Sequence, residues 1–179
     1  EEYTGTQLFI SEYIESGSDG IDCSQDKLIE IYNPTADAIN LTDYEIWYIS
    51  GSGVWAEKKL LFNKTVSSVD HGLDQIGESG ADIDNSDDLT CSDTSGDTCN
   101  ITTIESGETL IIVRSDSFLN CDDVDVEHWI EWDKLGHNGD DAIGLAYGGV
   151  LLDVIGQVGE NPGQGWDIGD TPNATRDHT

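Results

Sequence analysis

The sequence predicts an all-β fold, an antiparallel sandwich of one domain, and three observations predict it. Short runs of alternating apolar residues recur along the chain, glycine-rich or proline-marked turns separate them, and no stretch sustains a helical period. At 179 residues the chain is long enough for one core and short for two, so residues 1–179 read as a single domain.

The elements follow in order. Leu8-Phe9-Ile10-Ser11-Glu12-Tyr13-Ile14 and Leu28-Ile29-Glu30-Ile31-Tyr32 alternate as half-buried strands do, and Asn33-Pro34 ends the second. Tyr44 to Ile49 and Ala56 to Phe62 flank Gly51-Ser52-Gly53, the mark of a hairpin with a glycine-containing loop. From Val66 to Asn100 the character changes to an acidic stretch without a single Lys or Arg, which reads as an inserted loop over about 66–100. Order resumes at Ile101 to Ile104, turns through Glu105 to Glu108, and continues in Thr109-Leu110-Ile111-Ile112-Val113, a central strand. Cys121 to Trp132 fits either a strand or a short helix. Ala142 to Tyr147, Gly148-Gly149 and Val150 to Ile155 form the clearest hairpin, because two glycines supply the positive φ of a type I′ turn. Seven or eight strands result.

Charge limits function. Seven Lys and Arg against 37 Asp and Glu leave a net charge of −30, and such a surface repels a polyanion, so direct binding of nucleic acid or of an anionic membrane is not expected. Hydrophobic residues at 36% still suffice for a core despite 25% charge, which argues against a disordered chain. No apolar run reaches the roughly 18 residues of a membrane span. The start Glu1-Glu2-Tyr3 lacks the basic and apolar parts of a signal peptide, and the expectation is that a leader has been removed.

The cysteines, Cys23, Cys91, Cys99 and Cys121, show no C-x-x-C pair of the kind that zinc or redox sites use. Disulfides are the expectation, in an oxidising, extracellular or periplasmic setting. Of three pairings, Cys91 with Cys99 closes a short loop through Ser95 and Gly96 and leaves Cys23 for Cys121; free buried thiols are the alternative. Asn40, Asn63, Asn100 and Asn173 each open an N-x-Thr sequon, relevant only in a eukaryotic host.

Several of these stretches together resemble the lamin tail domain in its bacterial secreted form. They are Leu8 to Tyr13, Ile29 to Thr35, Ile39-Asn40-Leu41-Thr42-Asp43-Tyr44, Gly107 to Ile112, Asn138 to Leu145, and Leu152 to Gly159 with Pro162 and Trp166 beyond. The resemblance implies an immunoglobulin-like β-sandwich without a catalytic set, acting as an accessory module of a secreted protein. It also implies a neighbouring enzyme, most often a nuclease of the endonuclease/exonuclease/phosphatase type. The acidic insert and the four cysteines depart from the usual pattern.

Three constellations invite chemistry. Asp82, Asp84, Asp87 and Asp88 alternate as oxygen ligands of Ca²⁺ do, yet Asp87 stands where an EF-hand needs glycine and Asp93 where it needs Glu; a solvated acidic loop accounts for the same residues. His137 with Asp140 and Asp141 suggests acid-base work, but Asn138-Gly139-Asp140-Asp141 reads better as a turn whose Asp side chains bond nearby backbone NH groups. There is no G-x-S-x-G, H-E-x-x-H or phosphate loop. Of the tryptophans, Trp55, beside the loop of Gly51 and Gly53, is the candidate contact-patch residue. The expected function is therefore a non-catalytic module contacting neighbouring domains or another extracellular protein. The alternative is a calcium-stabilised domain that binds a surface glycan or protein.

Overall fold

The computed structural model describes residues 7–15, 27–53, 58–62, 82–83, 89–92, 102–114, 129–132 and 135–176. Twelve strands lie among them: β1 (Phe9–Glu15), β2 (Lys27–Tyr32), β3 (Ile39–Asn40), β4 (Tyr44–Ile49), β5 (Lys58–Leu61), β6 (Asp82–Ile83), β7 (Leu89–Ser92), β8 (Thr103–Ile104), β9 (Thr109–Val113), β10 (Trp129–Trp132), β11 (Ala142–Tyr147) and β12 (Val150–Ile155). One sheet has the order β1-β2-β9-β10-β7, the other β12-β11-β4-β5-β6, and β3 and β8 form a separate ribbon. No helix of the described residues is long and apolar enough to cross a membrane.

The core follows from the period of two. In the first sheet Ile29 faces Ile112 and Ile31 faces Leu110 across β2 and β9, while Ile112 meets Ile130 of β10. In the second, Ile46 lies between Leu60 and Leu145, and Tyr48 beside Ile143. All of these side chains join one buried cluster, so the sandwich is sealed by alternate residues of both sheets. β11 is buried from Ala142 through Ala146 on both of its faces, which is why its sequence runs apolar instead of alternating.

The hairpin of β11 and β12 turns at Gly148 and Gly149, with φ of 56° and 78°, as the type I′ expectation requires. β9 is the middle strand of its sheet. Residues 129–132 are strand, which settles that part of the ambiguous stretch. Two features differ from the sequence reading. β9 with β10, and β5 with β6, pair in parallel. And the acidic insert is not wholly loop: β6 and β7 lie within it, each forming one of the two outer strands of a sheet.

Asn33 shows how a corner is built. It is fully buried; its Nδ2 donates to the carbonyls of Asp37, Ile104 and Glu105, and its Oδ1 accepts from the backbone NH and hydroxyl of Thr35. Asn before proline with Thr two residues on is the local pattern that permits this. At the far end of β2, Lys27 is paired with Glu15 of β1 at 2.7 Å, both nearly buried, so one of the chain's seven cations holds the open end of the β1–β2 ribbon.

Candidate functional site

A set of buried polar contacts gathers at the turn before β11. Asp141 is buried, and its Oδ2 accepts the backbone NH of Asn138 at 2.7 Å and the Tyr48 hydroxyl at 3.1 Å, while Oδ1 accepts the backbone NH of Gly51 at 2.7 Å. One carboxylate thus ties its own turn, the end of β4 and the β4–β5 loop together. Burial pushes its pKa above the usual carboxylate value, opposed by the three donors.

His137 does not face the two aspartates as a catalytic partner would. It is fully buried, and its Nε2 lies 2.9 Å from the carbonyl of Ile14, so Nε2 carries the proton and donates. Nδ1 has no hydrogen-bond partner among the described residues. The ring packs on Tyr13, with centroids 4.8 Å apart. Burial lowers its pKa to about 3, with the positive charges of Lys27 and Arg114 adding to the effect, so the ring is neutral at pH 7. The chemistry of this group is to hold β1 in place.

The segment after β12 closes over the turn. Trp166 donates from Nε1 to the Asp141 carbonyl at 3.0 Å, and the Thr175 hydroxyl donates to the Gly139 carbonyl while accepting the Trp166 NH at 2.8 Å. Gly156 makes room: at φ 84°, an added Cβ would stand 2.6 Å from Trp166 Nε1. The hydroxyl of the Asn173 sequon is therefore a buried framework group. Thr175→Val, which removes both bonds at constant volume, is expected to lower stability by about 1–2 kcal/mol, measured by urea unfolding; an unchanged midpoint would mean the segment is not held there.

Sequence reasoning singled out Asp141 and named Trp166, but did not foresee that they meet. The remaining candidates fall elsewhere. Asp82 opens β6, its backbone in register with Lys58, and Cys91 lies on β7 opposite Ile130. Asp84, Asp87, Asp88, Trp55, Cys23, Cys99 and Cys121 lie outside the described residues. Among the described residues no three His, Cys, Asp or Glu side chains gather as a metal would need.

A search of the curated proteins finds no match to this chain. The Lamin Tail Domain family model matches residues 1–159, most of the chain; Trp166 and Thr175 lie beyond the match and still pack onto its turn. The family fold is the immunoglobulin-like sandwich, which fits the two facing sheets and their shared core. The chain belongs to the lamin tail domain family, whose domains are non-catalytic, immunoglobulin-like interaction modules.

Proposed function

We propose that this chain is the accessory module of a secreted extracellular protein, holding a neighbouring catalytic domain, of nuclease or other hydrolase type, against a protein partner. One observation carries the non-catalytic part of the reading: among the described residues the buried ionisable groups are committed to the framework. Asp141 is bonded to two backbone NH groups and Tyr48, His137 to the Ile14 carbonyl, and Lys27 to Glu15. A general acid or base must instead reach a substrate proton. The secreted setting is supported by four cysteines without metal-type spacing in an acidic chain.

Tryptic mapping without reductant tests the setting. Cleavage at Lys27, Lys64, Arg114 and Lys134 places Cys23 in peptide 1–27 and Cys121 in peptide 115–134, whereas Cys91 and Cys99 share peptide 65–114. The expected result joins the first two peptides and leaves the third lighter by two hydrogen atoms. Four reactive thiols in protein secreted into oxidising medium would sink the extracellular reading. Turnover of plasmid DNA or a phosphomonoester by the isolated chain with Mg²⁺ would sink the non-catalytic one.

A further inference from the structure

The strand that closes the second sheet is apolar yet unburied. β12 reads Val150-Leu151-Leu152-Asp153-Val154-Ile155, and none of its residues is buried, with Val150 65% and Val154 42% exposed. Its neighbour β11 is buried from Ala142 to Ala146. Among the described residues β12 pairs with β11 alone, so its other side is the edge of the sheet, where roughly half of an antiparallel strand's NH and CO groups point outward.

One end of this edge is sealed. Asp153 accepts the NH of Val154 with Oδ1 and the NH of Ile10, on β1 of the other sheet, with Oδ2, both at 2.9 Å. Among the described residues no side-chain hydrogen bond covers the half from Val150 to Leu152. The apolar surface also runs from this edge onto the outer face of the sheet. Val154 and Trp47 flank Gly144 in one row, and Leu151 packs with Trp47 and Ala146. Trp47 has its indole NH bonded to Glu45, so what it turns to this surface is hydrocarbon. Edges of this kind are normally blunted by charge or covered.

Charge selects what covers it. The hairpin from Ala142 to Ile155 holds no Lys or Arg and one acid, Asp153, while Asp43 and Glu45 lie on the adjoining β4 side. A second copy would bring −30 against −30, whereas a cationic strand is drawn in. We propose that the β12 edge takes up an extended, Lys- or Arg-bearing segment of a partner protein as an added strand, its apolar residues lying over Leu151 and Val154, which share the outer face with Ala146 and Trp47. Main-chain bonds supply affinity and the alternate side chains supply selectivity, as in other strand additions. This rests on the module reading, and it names the surface that the module uses.

The test uses the whole chain and an end-blocked peptide alternating Val and Lys, titrated by calorimetry at low and physiological ionic strength. Val154→Asp and Leu151→Asp are expected to weaken binding at least about tenfold, although each makes the chain more acidic. Replacing alternate valines of the peptide by proline is expected to abolish it. Because diffuse charge attraction would tighten in the Asp variants, unchanged or tighter binding overturns the proposal, as does no binding by the parent chain. A dimer that grows with salt and is lost in Val154→Asp also overturns it, in favour of a second copy. Val154 is exposed and Leu151 half-buried, and circular dichroism verifies that the variants fold. Turnover by the isolated chain would end the module reading without touching this result, and loss of binding would leave the module reading standing.

Discussion

Asp141→Ala is expected to lower unfolding free energy by about 3–5 kcal/mol at neutral pH, because hydrogen bonds to a charged group are each worth roughly 1.5–3 kcal/mol and stranded buried donors add a penalty. Three donors lose their acceptor at once: the backbone NH groups of Asn138 and Gly51 and the hydroxyl of Tyr48. The variants grade the effect. Tyr48→Phe removes one donor together with its need for an acceptor, and should cost about 1 kcal/mol. Asp141→Asn keeps one oxygen, which can serve Asn138 and Tyr48, but turns an amide NH₂ toward the NH of Gly51; it should fall between the two. Urea unfolding of the three variants gives the series directly. If Asp141→Ala were no worse than Tyr48→Phe, the carboxylate would not be the tie that its distances indicate. Loss of the turn also loosens Trp166, which sits on the Asp141 carbonyl, so its fluorescence should shift toward that of a wetter indole in the alanine variant.

How much of this was legible in the sequence depends on how local the cause is. The β11–β12 hairpin was legible because Gly148 and Gly149 set its turn by themselves, and β2 and β9 because Ile29, Ile31, Leu110 and Ile112 alternate. Parallel pairing of β9 with β10 was not, since it joins strands without a local turn and is decided by what Ile130 and Trp132 can bury against. β6 and β7 were hidden for a related reason: two and four residues in an acidic stretch carry too little pattern to outweigh the composition around them. β12 was read correctly as a strand, but its apolar run gave no warning that it stands at an edge, because exposure is a property of neighbours and not of the strand. In the candidate site, Asp141 was legible as a turn carboxylate. The roles of Gly51, Tyr48 and Trp166 around it were not, since they approach from 90, 93 and 25 residues away.

His137 should make the fold lose stability as the solution is acidified from about pH 6.5 toward 3. In the unfolded chain the imidazole takes a proton near its ordinary pKa of 6.5, whereas in the fold burial holds the value at about 3. Between these limits the unfolded state binds the extra proton, so stability is full above the upper limit and falls as the pH drops through the window. At 1.36 kcal/mol per pKa unit the loss over the whole window is on the order of 5 kcal/mol. Asp141 works in the opposite sense, since its raised pKa makes the fold bind the proton more tightly just above the ordinary carboxylate range. Relief of repulsion within a chain of charge −30 also grows on acidification, so the raw profile mixes several contributions. His137→Gln isolates the one of interest: an amide NH can still donate to the Ile14 carbonyl, and nothing at that position titrates. The stability difference between parent and variant, from urea unfolding at pH 7, 5.5 and 4, should therefore move steadily against the parent as the pH falls. A difference constant across that range would mean that the folded protein protonates His137 as readily as the unfolded chain does, and that the ring is not sealed against Tyr13 and Ile14 of β1.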